Sequence, residues 1–143
     1  MAVTVKKITL WRCEVQDRPG ALATVLEPLA KAGADLQVCM GYRIPGTNRA
    51  AIEVAPVSGK KATAAGQAGG LSAATIPCLL VTGDNRPGLG HAMSSAVAAA
   101  GINMNFLVAQ VIGRRCASIF GFENEADAQR ATTLIKKAAA KKK

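Results

Sequence analysis

The chain has 143 residues, enough for one ordinary domain or two small, mutually dependent ones. Half of the residues are hydrophobic but only 3% are aromatic, the bulk being alanine (28) and glycine (14), and 19% are charged, which excludes general disorder and leaves little ring surface for stacking. The net charge of +9 is concentrated at one end: Lys136, Lys137, Lys141, Lys142 and Lys143 carry five of those charges, so the basicity belongs largely to an Ala/Lys tail of the kind that ends a solvated helix.

The first strand is predicted over Ile8 to Val15, where Trp11, Cys13 and Val15 alternate with Arg12 and Glu14. Asp17-Arg18-Pro19-Gly20 then forms a tight turn, with proline at or near the first helical position. A helix follows, with Leu22, Val25, Leu26 and Leu29 at helical spacing, Pro28 inside it and Gly33 closing it. A second strand, Leu36 to Ile44, turns at Pro45-Gly46-Thr47-Asn48 into a third, Arg49 to Val57. The Gly/Ala/Lys-rich stretch 58–70 reads as a short helix plus linker.

The same pattern then recurs. Arg18-Pro19-Gly20 returns as Arg86-Pro87-Gly88, an offset of 68, and the offset holds from Gly33 to Gly101, Leu36 to Met104 and Val38 to Phe106. The second copy reads as strand Ile76 to Thr82, turn Asn85-Arg86-Pro87-Gly88, a helix through Leu89, Met93 and Val97, and strands Ile102 to Ile112 and Cys116 to Phe122. Asn124-Glu125-Ala126-Asp127 opens a last amphipathic helix. The fold class is therefore α+β: two ferredoxin-like βαββα units with antiparallel sheets and helices on one face. The divisions are 1–57 for the first unit, 58–72 for its second helix and linker, 73–137 for the second unit and 138–143 for the tail. Each unit lacks its final strand, and the N-terminal segment from Ala2 to Lys7, the sister copy or a second chain must close that edge.

No apolar run reaches the ~18–20 residues of a membrane span, and no signal-peptide core is present at Met1–Lys7, so a cytoplasmic protein is expected. Cys13, Cys39, Cys78 and Cys116 are too widely spaced for a zinc site or a dense disulfide framework and are expected as buried thiols. No cofactor or metal is indicated. An enzyme is not expected: the one histidine, His91, has no identifiable partner, and Ser94-Ser95 carries no nucleophile signature.

The repeated polar residues are the candidate site. Asp17 and Asn85 sit at equivalent turns, Asp35 and Asn103 open the second strands, and Gln37 and Asn105 follow two residues on, where i and i+2 share a strand face. The plainer reading makes Asp17 and Asn85 helix caps and the others wet strand faces. The functional reading takes the three positions together, beside a helix N-terminus and a glycine (Gly20, Gly88) that lets a ligand approach the backbone. That describes a pocket for an α-amino acid.

Asp17-Arg18-Pro19-Gly20-Ala21-Leu22-Ala23 with Ala32-Gly33-Ala34-Asp35-Leu36 resembles the turn, helix and second strand of an ACT domain. Asn85-Arg86-Pro87-Gly88 with Ala100-Gly101-Ile102-Asn103-Met104-Asn105 resembles the same family again. The resemblance implies a tandem, non-catalytic regulatory protein that binds an amino acid where two such domains meet, working as a homodimer or through a separate effector protein. Carried over, the ligand contacts are Asp17, Arg18, Gly20, Asp35 and Gln37 in the first copy. In the second they are Asn85, Arg86, Gly88, Leu89, Asn103 and Asn105, whose neutral amides suit both ends of a zwitterion. Two alternatives stand beside this. Ser118 to Glu123 echoes the third strand of an RNA recognition motif, although Leu80 stands where a stacking ring belongs. Tandem units with open sheet edges can also act as a protein–protein adaptor with no ligand.

Overall fold

The computed structural model describes residues 3–141. In chain order the elements are β1 (Val3–Ile8), β2 (Trp11–Gln16), α1 (Ala21–Lys31), β3 (Val38–Arg43), β4 (Arg49–Ala55), α2 (Lys60–Ala68) and β5 (Ser72–Ala73). The second half continues with β6 (Cys78–Asp84), α3 (Leu89–Ala99), β7 (Met104–Ile112), β8 (Arg115–Phe122) and α4 (Glu125–Ala140). They form two four-stranded antiparallel sheets, in the orders β3-β4-β2-β5 and β1-β6-β8-β7.

One compact unit spans Thr9–Thr75 and is a βαββαβ module in which β5 pairs with β2 through only two residues. The other is built from Ile76 onward together with the N-terminal strand. There β1 runs antiparallel to β6, from Val3 opposite Gly83 to Ile8 opposite Cys78, and takes the place that β5 holds in the first unit. The two sheets thus have one order, with the closing strand supplied by β5 at the C-terminal end of the first unit and by β1 at the start of the chain for the second. Of the three ways to close the second unit's edge, the N-terminal segment is the one used; Met1 and Ala2 lie outside the described residues. The run read as one strand from Ile8 to Val15 is divided between sheets: Ile8 ends β1 and Trp11 begins β2.

Each unit has its own core. In the first, Val25 and Leu29 of α1 pack on Ile52 and Val54 of β4 and on Leu71. In the second, Val97 and Met93 of α3 and Ala131 and Ile135 of α4 cover Val81, Phe120 and Phe122. Small residues on α4 permit close helix-to-sheet approach, and burial continues to Ala138 and Ala139. The stretch from 138 to 140 is thus helix rather than tail, while Lys142 and Lys143 lie outside the described residues.

Helix ends follow local chemistry. Gly33 (φ 73°) and Gly101 (φ 74°) sit just past α1 and α3 in the left-handed conformation that closes a helix. Asn124 caps α4, its side-chain oxygen accepting from the Asp127 N–H at 2.8 Å. At the starts of α1 and α3 the cap residues are instead Gly20 and Gly88, with φ of 87° and 81° and no side-chain cap. Asp17 and Asn85 therefore cap nothing, and Pro19 and Pro87 precede the helices rather than opening them. Pro28 is carried inside α1, which continues to Lys31.

Two thiols are buried, Cys78 and Cys116, and Cys13 is half-buried, its pKa pushed up by loss of water. Cys39 is exposed on β3, against the expectation that all four are inside.

Candidate functional site

The turn before α1 lies at the C-terminal end of β2. A strand–helix–strand crossover sends β3 in the same direction as β2, with β4 antiparallel between them. The end of β3, not its start, therefore meets the turn. The Asp17 N–H donates to the Asn48 carbonyl, while the Gln37 N–H donates to the Ala55 carbonyl, at the two ends of β4. Those anchor points lie an offset of seven positions apart along the strand, roughly 23 Å.

The second unit repeats this. The Asn85 N–H donates to Arg114 O at one end of β8, and Asn103 Nδ2 donates to Glu123 Oε1 at 3.3 Å at the other. The expectation that the turn residue and the two strand residues converge within a unit is thus corrected. Asp35 and Gln37 precede β3, and Asn105 falls at an irregularity between Met104 and Phe106, so neither pair shares a regular strand face.

The structure gathers a different set around Asp17. Arg43, the last residue of β3, donates from Nε to Asp17 Oδ2 at 2.5 Å. With Arg18, Leu22 and Tyr42 they line a cleft of about 330 Å³, whose apolar wall includes Val15 and Ile52. Its lining residues include one acid and two arginines, and Asp17 keeps lone pairs beyond the one Arg43 uses. Gly41 fits close beneath the helix, its missing side-chain position 3.9 Å from a Leu22 methyl. The crossover rule applied to the residues after Gly33 was the signal that could have brought Tyr42 and Arg43 into the candidate set.

Behind the cleft Tyr42 donates to Glu53 Oε2 at 2.9 Å, and Arg12 lies 4.0 Å from the other oxygen. Glu53 is 5% exposed, a buried carboxylate that accepts from the Tyr42 hydroxyl and faces the Arg12 guanidinium as an ion pair. Burial and the Glu53 hydrogen bond both push the Tyr42 phenol above its ordinary pKa.

The second unit's turn is engaged otherwise. Arg86 donates from Nη2 to Ala138 O at 3.3 Å and Lys141 O at 3.2 Å, satisfying carbonyls at the C-terminus of α4. Beside it Gly88, His91, Ser95 and Lys141 line an open cleft of about 620 Å³. Leu89 is buried in the core, so it holds the helix rather than a ligand. Where the first unit has Tyr42 and Arg43, the repeat places Gln110 and Val111. His91 Nε2 meets Ser95 Oγ at 3.3 Å across one helical turn. Among the described residues no group of three or more His, Cys, Asp or Glu could hold a metal ion, and no helix is long and apolar enough to cross a membrane.

Phe120 and Phe122 bear on the RNA alternative. Both are fully buried against α3 and α4, with ring centroids 6.4 Å apart and planes 7° from parallel. Neither presents a face on which a base could stack.

No family model and no curated protein matches the chain. Solved structures do. A Bacteroides thetaiotaomicron protein is similar over 90% of this chain and 88% of its own, with a TM-score of 0.74 at 14% identity. The ligand-free regulatory subunit of aspartate kinase from Thermus thermophilus is similar over 96% of this chain and 97% of its own, at 0.65 and 20%. A putative C-terminal regulatory domain of aspartate kinase from Porphyromonas gingivalis is similar over 94% and 96%, at 0.55 and 8%. At these identities the likeness is one of fold. The α+β arrangement is ACT-like and shared with regulatory portions of aspartate kinase.

Proposed function

We propose that the chain is a non-catalytic regulatory protein that senses an α-amino acid, with the cleft of the first unit as its binding site. The observation that carries this reading is the lining of that cleft, where Asp17, Arg18 and Arg43 stand together with Val15, Leu22 and Ile52. Asp17 would accept from the ligand ammonium, and Arg18 would donate to its carboxylate. An aliphatic ligand side chain would cover the apolar wall.

Of the residues the sequence singled out, Asp17 and Arg18 line this cleft, and Gly20 lies in the same turn as the N-cap of α1. Asn85, Arg86 and Gly88 form the equivalent turn of the second unit, with Arg86 occupied by the end of α4. We assign Asp35 and Gln37 no place in the first-unit cleft, because they lie at the opposite end of that unit's sheet, and Asn103 and Asn105 lie at the corresponding end of the second unit's own sheet. A homodimer or a separate effector protein would carry the signal, since ligand binding must favour one arrangement of the assembly over another.

The test is calorimetric titration with the common amino acids against wild type and Arg18→Ala. Binding by wild type that weakens in the variant supports the site. Equal affinity in both overturns it.

A further inference from the structure

We propose that the cleft between the start of α3 and the end of α4 binds the phosphate group of a small phosphorylated molecule. The site belongs to the second unit alone and does not rest on the amino-acid reading of the first.

The described residues that line this cleft of about 620 Å³ come from the turn before α3, from α3 itself and from the end of α4. A glycine and three alanines leave the room. The polar groups are Arg86, His91, Ser95 and Lys141, and among the described residues no carboxylate lines it.

Arg86 organises the site. Its Nη2 donates to the Ala138 and Lys141 carbonyls at 3.3 and 3.2 Å, which holds the guanidinium against the end of α4. A guanidinium carries five donors, so Nη1 and Nε remain for an acceptor in the cleft, and their planar fork matches a phosphate. His91 Nε2 and Ser95 Oγ, 3.3 Å apart, stand together on the α3 wall. Lys141 brings a second charge. The backbone adds to this: no atom lies within 4 Å of the side-chain position that Gly88 lacks, so a ligand can approach the first turn of α3 and its N–H groups.

The placement of charge favours an anion. Glu123, Glu125 and Asp127 stand at the far end of α4, roughly 20 Å along the helix from Lys141. The unit's fourth acid, Asp84, is paired with Arg115 at 3.0 Å. The dipole of α4 explains a lysine at its end, but not the histidine and serine that line the same cleft from α3. A carboxylate has two oxygens to share among these groups. A phosphate has three, enough to meet arginine, lysine and the His91–Ser95 pair at once.

Calorimetric titration of the full chain with inorganic phosphate, a glycerol phosphate and acetate, at constant ionic strength, tests the site. The ester should bind more tightly than inorganic phosphate, because the alanines take its carbon part, and acetate at least tenfold more weakly than either. His91→Ala with Lys141→Ala should raise the dissociation constant for the ester about tenfold, the worth of one charge-assisted hydrogen bond, with the melting transition retained. Ser95→Glu, at an exposed position, sets a carboxylate in the cleft and should abolish binding; it decides the matter if the double variant fails to fold. Asp17→Ala with Arg18→Ala, and Lys60→Ala with Lys61→Ala, should bind as wild type does. No binding of either phosphate, or full binding by the folded Ser95→Glu variant, overturns the site. An equal loss in the Lys60/Lys61 variant reveals attraction to net charge and overturns it too, as does a loss confined to the Asp17/Arg18 variant. Acetate bound as tightly as phosphate overturns the ligand class, and inorganic phosphate bound more tightly than the ester overturns the phosphorylated molecule.

Discussion

Arg43 Nε donates to Asp17 Oδ2 at 2.5 Å, joining the last residue of β3 to the turn that precedes α1. The contact spans 26 residues of sequence, yet the crossover makes it inevitable that these two ends meet. Arg43 is three-quarters exposed, so the pair contributes little to folding, about 0–1 kcal/mol. Arg43→Ala is therefore expected to leave the melting temperature almost unchanged while reducing amino-acid affinity. A large drop in stability would show that the pair is a structural clamp rather than part of a site.

Gly121 is required by Phe106. A methyl group at 121 would lie 2.3 Å from the Phe106 ring, too close for any real contact. Gly121→Ala should destabilise the second unit by about 1–3 kcal/mol in denaturant unfolding. Phe106→Ala in that background should recover part of the loss. Additive effects of the two substitutions would contradict the contact.

Arg86 acts as the C-terminal cap of α4. Its replacement by Met keeps much of the stem and removes both donors to the Ala138 and Lys141 carbonyls. The expected cost is about 0.5–1.5 kcal/mol, with faster amide exchange confined to the last turns of α4. Unchanged exchange there would remove Arg86 from this role.

How far the sequence reaches is plain from these residues. The strand–helix–strand order of each sheet is legible in the sequence, and Gly33 and Gly101 mark true helix ends, because aliphatic spacing and left-handed glycines are local signals. Pairing is not local. Val3–Ile8 reads as a strand in any sheet, and only tertiary packing assigns it to the second unit. Ser72–Ala73 is too short to show a period at all. The grouping of the polar residues is not legible for a related reason: sequence equivalence sets Asp17 beside Asp35, whereas strand direction decides that Asp17 meets Arg43.

The hydrogen bond from the half-exposed Tyr42 phenol to buried Glu53 gives a pH dependence with a definite sign. The folded-state pKa of Tyr42 lies above the ordinary value near 10, through burial first and the Glu53 hydrogen bond second. The folded state thus holds that proton more tightly than the unfolded state. The associated stability is fully present below pH ~10 and falls as pH rises through the folded value. Tyr42→Phe should flatten that alkaline decline, and at neutral pH should cost about 0.5–1.5 kcal/mol because Glu53 loses a donor. An alkaline profile identical to wild type would contradict this account.

The central claim is that the first-unit cleft binds an amino acid through the turn before α1. A thermal-shift screen against the common amino acids at fixed salt tests it most directly, comparing wild type, Asp17→Ala with Arg18→Ala, and Asn103→Ala with Asn105→Ala. One amino acid should raise the melting temperature, by an amount that reaches about 2.7 kcal/mol of stability at 100 times its dissociation constant. The shift should vanish in the Asp17/Arg18 variant and persist in the Asn103/Asn105 variant. No shift with any amino acid, or a shift lost only with Asn103 and Asn105, would contradict the assignment.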